Sequence, residues 1–371
     1  MIHLTLTVRR ILFYFFIAVF LFSSPFVVVY ALGYSFNIHT RVFEQRGGIF
    51  VKSKTGGLTI ALDDLTVKET SLFSGNALIT DVEPGMHRVR IAKEGYHSWG
   101  KKILVIPGVV TEFRNVMLVP RGVHITTAAP EDQARIARRK ESQKNAPLHL
   151  NAKNELLYAV GTTTEIIARN VHSFAVMNEG LILFVDRNGF LARLALASRA
   201  LEILGRPGFY LEKAPVRFIA SSEERTAAII DSLGGLYLLE EAEQPRLEPL
   251  TGGVKNALFD EQEEKLLLIR EQELEVAVLK KSPEGLSERE GIGGTIIESP
   301  KKIIDAAWFY DTDRHVVFVT GDGVFFTDID RRAEPYTVQI AAQKFQKVFT
   351  FPETPRMIFL EDERGVYTLE L

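Results

Sequence analysis

Cysteine is absent from all 371 residues, which removes disulfides, thiolate zinc sites, iron–sulfur clusters and cysteine nucleophiles together. A charge surplus is missing as well. The 44 Lys and Arg stand against 47 Asp and Glu, a net charge of −3, so no global basic field points to nucleic acid and no acidic excess points to disorder. Histidine is sparse, and no two of the eight stand three or four apart, so the chain offers no local pair of imidazoles for a metal. No Gly-x-Ser-x-Gly elbow occurs. Tryptophan appears twice, at Trp99 and Trp308. No cofactor and no resident metal are expected from these absences.

Charge is also locally absent, and that absence is informative. From Ile11 to Ile38 there is no Asp, Glu, Lys or Arg, and Ile11 to Leu32 is mostly Ile, Leu, Phe and Val. Roughly 20 residues of helix cross a hydrocarbon core of about 30 Å, so this stretch is long enough to span. The reading is a cytoplasmic tail at 1–10 and a transmembrane helix at 11–34, kinked but not ended by Pro25, with Tyr30 and Tyr34 at the interface. A cleaved signal peptide is the competing reading, disfavoured because the apolar core exceeds the roughly 7 to 15 residues of a signal core. Arg9 and Arg10 on a tail without acids favour an inside N-terminus and an extracytoplasmic body at the cell membrane.

Between 48 and 119 the text turns to short alternating strands punctuated by Gly56-Gly57, Pro84-Gly85, Glu94-Gly95 and Pro107-Gly108. Candidate strands are Ile49 to Ser53, Leu58 to Leu62, Asn76 to Asp81, His87 to Lys93, Lys101 to Ile106 and Thr111 to Val119, enough for a small antiparallel β-sandwich. Val82-Glu83-Pro84-Gly85, then His87-Arg88-Val89-Arg90-Ile91, then Lys93-Glu94-Gly95-Tyr96, resembles the PEGA domain of bacterial and archaeal envelope proteins. Glu-Pro-Gly-Met stands here where the family name suggests Glu-Gly-Ala after the proline. The resemblance implies a surface or periplasmic β module, with no catalytic residues to carry over.

Residues 120–147 read as a charged linker or solvated short helix, with a basic run at Arg135, Arg138, Arg139 and Lys140 diluted by Glu131, Asp132 and Glu141. From 148 to 371 a unit recurs: a short strand, a polar turn, a strongly apolar strand, a turn carrying Gly or acid, and another apolar strand. Copies open at Leu148, Ser173, Arg217, Asn256, Ala306 and Val348, and the later ones are about 40 to 50 residues apart, the length of a propeller blade. A fourth, more polar strand fits the gaps, as at Ala200 to Leu204 and Tyr336 to Ile340. The first copy is short, so it either lacks its outer strand or completes the ring with the last copy. No copy ends in Trp-Asp. The fold class is therefore mainly β: a transmembrane helix, a PEGA-like sandwich and a β-propeller-like region of about six blades, similar to the loosely repeated propellers of exported bacterial proteins.

Candidate contacts are few. Arg88 and Arg90 alternate with Val89 and Ile91, as the wet face of a half-buried strand requires, and form a basic stripe. Trp99, beside Gly100, is the expected exposed aromatic, and Trp308 the expected core one. Asp311 and Asp313, like Asp328 and Asp330, place acids two apart at turns, a spacing that offers oxygens to Ca²⁺ but lacks the Gly and closing Glu of an EF-hand loop. Turn acids capping their own backbone are the plainer account. Gly291 to Thr295 resembles a phosphate cradle only in its glycines, because no apolar strand leads into it. The function expected is a non-enzymatic, single-pass membrane protein whose propeller loops bind an envelope protein, a peptide or cell-wall polysaccharide. The alternatives are an extracytoplasmic propeller lyase or hydrolase with residues scattered over several blades, and a self-associating structural component of the envelope.

Overall fold

The computed structural model describes residues 6–37, 42–144, 147–161, 163–177, 180–212, 214–221, 226–240, 245–279, 294–312 and 314–371. It divides into two compact units, Met1–Arg121 and Gly122–Leu371.

The first unit opens with helix α1 (Leu6–Ala31), which runs through Pro25. Its stretch Thr7–Ala31 is long and apolar enough to cross a membrane, and none of it is buried in protein. The helix starts before Ile11 and stops before Tyr34. Arg9 and Arg10 lie inside it, and Gly33, at φ +79°, turns the chain while its N–H bonds Tyr30 O. A hairpin comes next, β1 (Tyr34–Asn37) and β2 (Val42–Gln45).

Seven more strands form two sheets: β3 (Gly47–Ser53), β4 (Thr59–Leu62), β5 (Leu65–Glu69), β6 (Ala77–Val82), β7 (Gly85–Ala92), β8 (Trp99–Val105) and β9 (Val110–Val116). Their orders are β6-β3-β9 and β5-β4-β7-β8. β5, absent from the candidate strands, is an exposed strand whose Leu65 and Val67 alternate with Thr66 and Lys68; the Asp63-Asp64 turn, with both φ positive, leads into it. The module is not wholly antiparallel. β9 crosses from its neighbour β8 into the other sheet and pairs with β3 in parallel, Gly48 opposite Val110, because both strands leave from the same end. The core between the sheets holds Ile49, Val51, Ile60, Val89, Ile91, Ile103 and Phe113.

The second unit is six sheets in succession. β10 (Thr126–Thr127) and helix α2 (Pro130–Lys144) come first. Sheet I is β11 (Leu148–Leu150), β12 (Leu156–Val160) and β13 (Thr163–Ala168). Sheet II is β14 (Val171–Val176), β15 (Leu181–Asp186), β16 (Leu191–Ala195) and β17 (Leu201–Gly205); sheet III is β18 (Arg217–Ala220), β19 (Thr226–Ile230), β20 (Leu236–Glu240) and β21 (Arg246–Thr251). Sheet IV is β22 (Asn256–Phe259), β23 (Lys265–Ile269), β24 (Glu273–Val278) and β25 (Gly294–Glu298); sheet V is β26 (Ile303–Trp308), β27 (His315–Thr320), β28 (Gly323–Asp328) and β29 (Thr337–Ala341). Sheet VI is β30 (Lys347–Thr350), β31 (Met357–Glu361) and β32 (Val366–Glu370), with β10 added beside β32. Among the described residues the first copy thus has three strands, and the strand that completes the last sheet comes from upstream of α2.

Packing explains why the second strands read as unbroken apolar runs. Side chains alternate faces along a strand, so a strand buried on both faces needs apolar residues at every position. In β15, Ile182 and Phe184 pack with sheet I residues, while Leu183 and Val185 pack with Ala227 and Ile229 of sheet III. In β19, Ala228 and Ile230 then meet Leu266 and Leu268 of β23, and Leu267 and Ile269 meet Val316 and Phe318 of sheet V. Polar bonds stitch the same sheets: Thr350 Oγ1 donates to Trp308 O at 2.6 Å, Trp308 Nε1 to Leu258 O at 2.9 Å, and Val216 N to Ser173 Oγ at 2.9 Å. The acidic turns cap themselves. Asp186 Oδ1 accepts the N–H of Asn188 and Phe190 at 2.9 and 2.8 Å, and Asp231 Oδ1 those of Leu233 and Gly235 at 3.0 and 2.7 Å.

The expected linker is largely a helix that belongs to the second unit. Ile136, its one large apolar residue, is 2 % exposed and packs against Phe351 and Phe359 of sheet VI, while the Arg135 guanidinium lies 4.2 Å from the Phe351 ring centroid. Phe349 shares this contact and alternates with Val348 and Thr350, which face sheet V, so α2 covers the opposite face of the last sheet.

Candidate functional site

Arg88 and Arg90 project from the outer face of β7 and are exposed, with Val89 and Ile91 buried between and beyond them. Register sets Arg88 opposite Lys102 of β8, also exposed, so the stripe is wider than β7 alone suggests. Exposed Asp64 lies 4.0 Å from Arg88, and the backbone N–H of Arg88 donates to Asp63 Oδ1 at 2.8 Å. That bond, with the His87 ring at 2.5 Å from Asp63 Oδ2, holds the Asp63 carboxyl below its ordinary pKa.

Trp99 is not the exposed aromatic. It opens β8, is 2 % exposed, and its ring meets Phe113 edge-on at 5.3 Å, bridging the two sheets. Strand alternation puts it on the same face as Ile103 and Val105; the flanking Gly100 marks the outward position. Trp308 is buried as expected. Asp311 is half-buried in the turn before β27, where its N–H donates to Pro355 O at 3.0 Å, and Asp313 lies outside the described residues. Of the four described candidates, the two arginines share a face, Trp99 is inside the same module, and Asp311 belongs to the other unit. Residues 291–293 of the glycine cluster also lie outside the described residues, and Gly294 and Thr295 begin β25.

Among the described residues, no group of three or more His, Asp and Glu is placed to hold a metal ion. His315 is buried and stacked on Phe326 at 4.8 Å, with Thr312 Oγ1 at its Nδ1. Desolvation, with Arg121 nearby, lowers the pKa of His97. Tyr336, beside the Asp328 carboxylate, has its phenol pushed well up by burial, and its hydroxyl is buried without a hydrogen-bond partner in the structure. The Asp305 carboxyl is pushed up by burial, against the opposing pull of the Val348 N–H at 3.1 Å and of Lys347.

Asp305 links sheet V to sheet VI, and its titration has a predictable sign. A carboxyl whose folded pKa is raised binds its proton more strongly when folded, so its contribution to stability falls as pH rises through the ordinary carboxyl range and above. Asp305→Asn keeps an oxygen for Val348 and removes the charge. The variant is expected to exceed the wild type in stability near about pH 7, with the gap closing towards about pH 4, in denaturant titrations at both values. A variant less stable at both values would contradict this account.

One surface feature was hidden from sequence reading. The connection 206–212 folds back on the β19–β20 turn: Tyr210 N donates to Asp231 Oδ2 at 3.1 Å and Ser232 N to Tyr210 O at 3.1 Å. Tyr210, at this contact, and Leu233, next to Ser232, are both exposed. The only sequence sign was apolar residues inside a turn-rich stretch.

Comparison with known proteins agrees with the first unit and adds little to the second. The family model described as the PEGA domain matches residues 46–119. No curated protein matches the chain. Among solved structures, an S. cerevisiae complex described as Dbp5 bound to Nup159, Gle1, IP6 and ADP is similar at 11 % identity over 59 % of this chain and 74 % of that one, with a TM-score of 0.34, too low to carry a fold assignment. The chain is mainly β, and it carries a PEGA domain match behind an N-terminal apolar helix, an arrangement consistent with a membrane-anchored extracytoplasmic protein.

Proposed function

We propose that this is a non-enzymatic, membrane-anchored binding or scaffold protein of a prokaryotic cell envelope, with its N-terminus cytoplasmic and both β units outside. In this reading the six sheets of the second unit form a β-propeller whose turns present the recognition surface for an envelope protein, a peptide or cell-wall polysaccharide. The carrying observation is the alternate-face packing of successive sheets, with sheet VI completed by β10 from the start of the unit. A strand borrowed from the start of the unit would close a ring and protect an edge, and α2 covers the face of the last sheet turned away from sheet V. Retention of α1 as an anchor is supported by its exit: Gln45 Nε2 donates to Leu32 O at 3.2 Å and Arg46 N to Gly33 O at 3.0 Å, so the helix end is hydrogen-bonded to the chain where β2 passes into β3. Many turns on a rigid scaffold suit recognition, and Tyr210 with Leu233 is the first such surface to test.

The lack of cysteine makes the topology test clean. In spheroplasts, a membrane-impermeant maleimide is expected to label Lys68→Cys and Arg364→Cys and to label Thr7→Cys only after permeabilisation; the reverse pattern overturns the orientation. A photo-crosslinker at Tyr210 or Leu233 is expected to trap a discrete envelope component. Absence of any adduct there, and at the equivalent turns of sheets II and VI, argues against a binding role.

A further inference from the structure

The basic stripe acquires a meaning from where the module meets α1. Arg46 N bonds Gly33 O just beyond the helix, and Arg46 O accepts the Gly108 N–H at 3.1 Å, so the β8–β9 turn sits at the helix exit. A Cβ on Gly47 would come within 2.5 Å of the Val105 side chain, which fixes the end of β8 there too. This helix-proximal end of the module is apolar and open to solvent. Met86 and Leu104, opposite each other in register, are 65 % and 57 % exposed, and Ile106 and Val109 of the turn are exposed beside them. Phe36 and Phe43 of the β1–β2 hairpin, in edge-on contact at 5.2 Å, are exposed as well. Two residues farther along the strands, about 7 Å away, comes the exposed pair Arg88 and Lys102.

Apolar side chains next to a hydrophobic helix, with a basic row one step beyond them, reproduce the layering of a bilayer surface: acyl boundary first, phosphates next. We propose that this end of the module rests on the bilayer that α1 enters, with Met86, Leu104, Ile106 and Val109 at the boundary between headgroups and acyl chains and Arg88 and Lys102 at the phosphates of anionic lipid. The partner is a lipid surface, selected by the covalent continuity with α1 and by the match of charge to phosphate. Asp64 beside Arg88, and Glu83 paired with Arg46 at 2.9 Å, moderate the row without cancelling Lys102. The inference rests on α1 spanning the membrane.

The test uses the full chain in nanodiscs of phosphatidylcholine and phosphatidylglycerol in equal parts, with brominated lipids as quenchers of tryptophan. Native Trp99 and Trp308 are buried in protein and give the background. Leu104→Trp, or Met86→Trp, is expected to be quenched several-fold more than that background by bromines near the headgroup, since both sites are exposed and tolerate the change. Phe16→Trp, quenched by bromines at mid-chain, reports the span independently. If Phe16→Trp is quenched and neither module reporter is, the lipid contact is wrong while the anchor stands; an unquenched Phe16→Trp overturns the anchor itself. Adding Arg88→Ser and Lys102→Ser to Leu104→Trp is expected to reduce quenching to the level seen in discs of phosphatidylcholine alone. Equal quenching with and without the two basic residues overturns the phosphate assignment.

Discussion

Asp260→Ala is expected to lower the stability of the second unit by about 3 to 5 kcal/mol, read as a shift in its denaturant midpoint. The carboxylate lies 2.9 Å from Lys265 Nζ, with side-chain exposures of 3 % and 8 %, at the turn between β22 and β23. Removing the aspartate takes this carboxylate from a buried ammonium at the edge of the core, which also lies 5.9 Å from the ring centroid of Trp308. Asp260 Oδ1 also accepts the Lys265 backbone N–H at 2.8 Å, which adds about 1 kcal/mol to the loss. The combination Asp260→Leu with Lys265→Met should return to within about 2 kcal/mol of wild type, because an apolar pair of similar volume has no charge to desolvate. If the double variant is no better than the single one, the aspartate acts through its turn geometry rather than through the ion pair.

Ile136→Asp is expected to have an effect of similar size. The side chain is enclosed by Phe351 and Phe359, so an aspartate there buries an unpaired charge, and even Ile136→Ala should cost about 2 to 5 kcal/mol. Limited proteolysis offers a direct readout: α2 should become cleavable within 130–144 in the Asp variant while remaining protected in the wild type. If 130–144 were a hydrated linker, both substitutions would stay within about 0.5 kcal/mol of wild type, as surface changes do. Because α2 covers the free face of sheet VI, this measurement also asks whether the row of sheets depends on that cover.

Much of the architecture is legible in the amino-acid order, and the parts that are not share a physical cause. The membrane-length helix is legible because a spanning segment needs a long run free of charge. The repeats are legible because strands buried on both faces, such as β15, β23 and β27, need consecutive apolar residues, which turns like that of Asp186 to Phe190 interrupt. The strand β5 escapes because it is five residues long and exposed throughout, so its Leu65-Thr66-Val67-Lys68 alternation marks no buried face. Trp99 is misplaced by sequence reading for a related reason. A neighbouring glycine says nothing about which side of a strand an aromatic takes, and the side is set by register with β7, where Trp99 stands opposite Ile91.

By itself, then, the sequence determined the elements whose cause is local or periodic: a charge-free helix, short alternating strands with their turns, six recurring units, and the outward alternation of Arg88 and Arg90. Tertiary structure alone decided the relations between distant segments. It paired β3 with β9 in parallel, joined β10 to β32 across more than half the chain, sank Ile136 onto sheet VI and Lys265 beside Asp260, and set Lys102 across from Arg88 above an apolar end. Those contacts depend on which surfaces remain to be covered once the local elements exist, and burial of apolar area is non-directional, so no residue pattern names its distant partner.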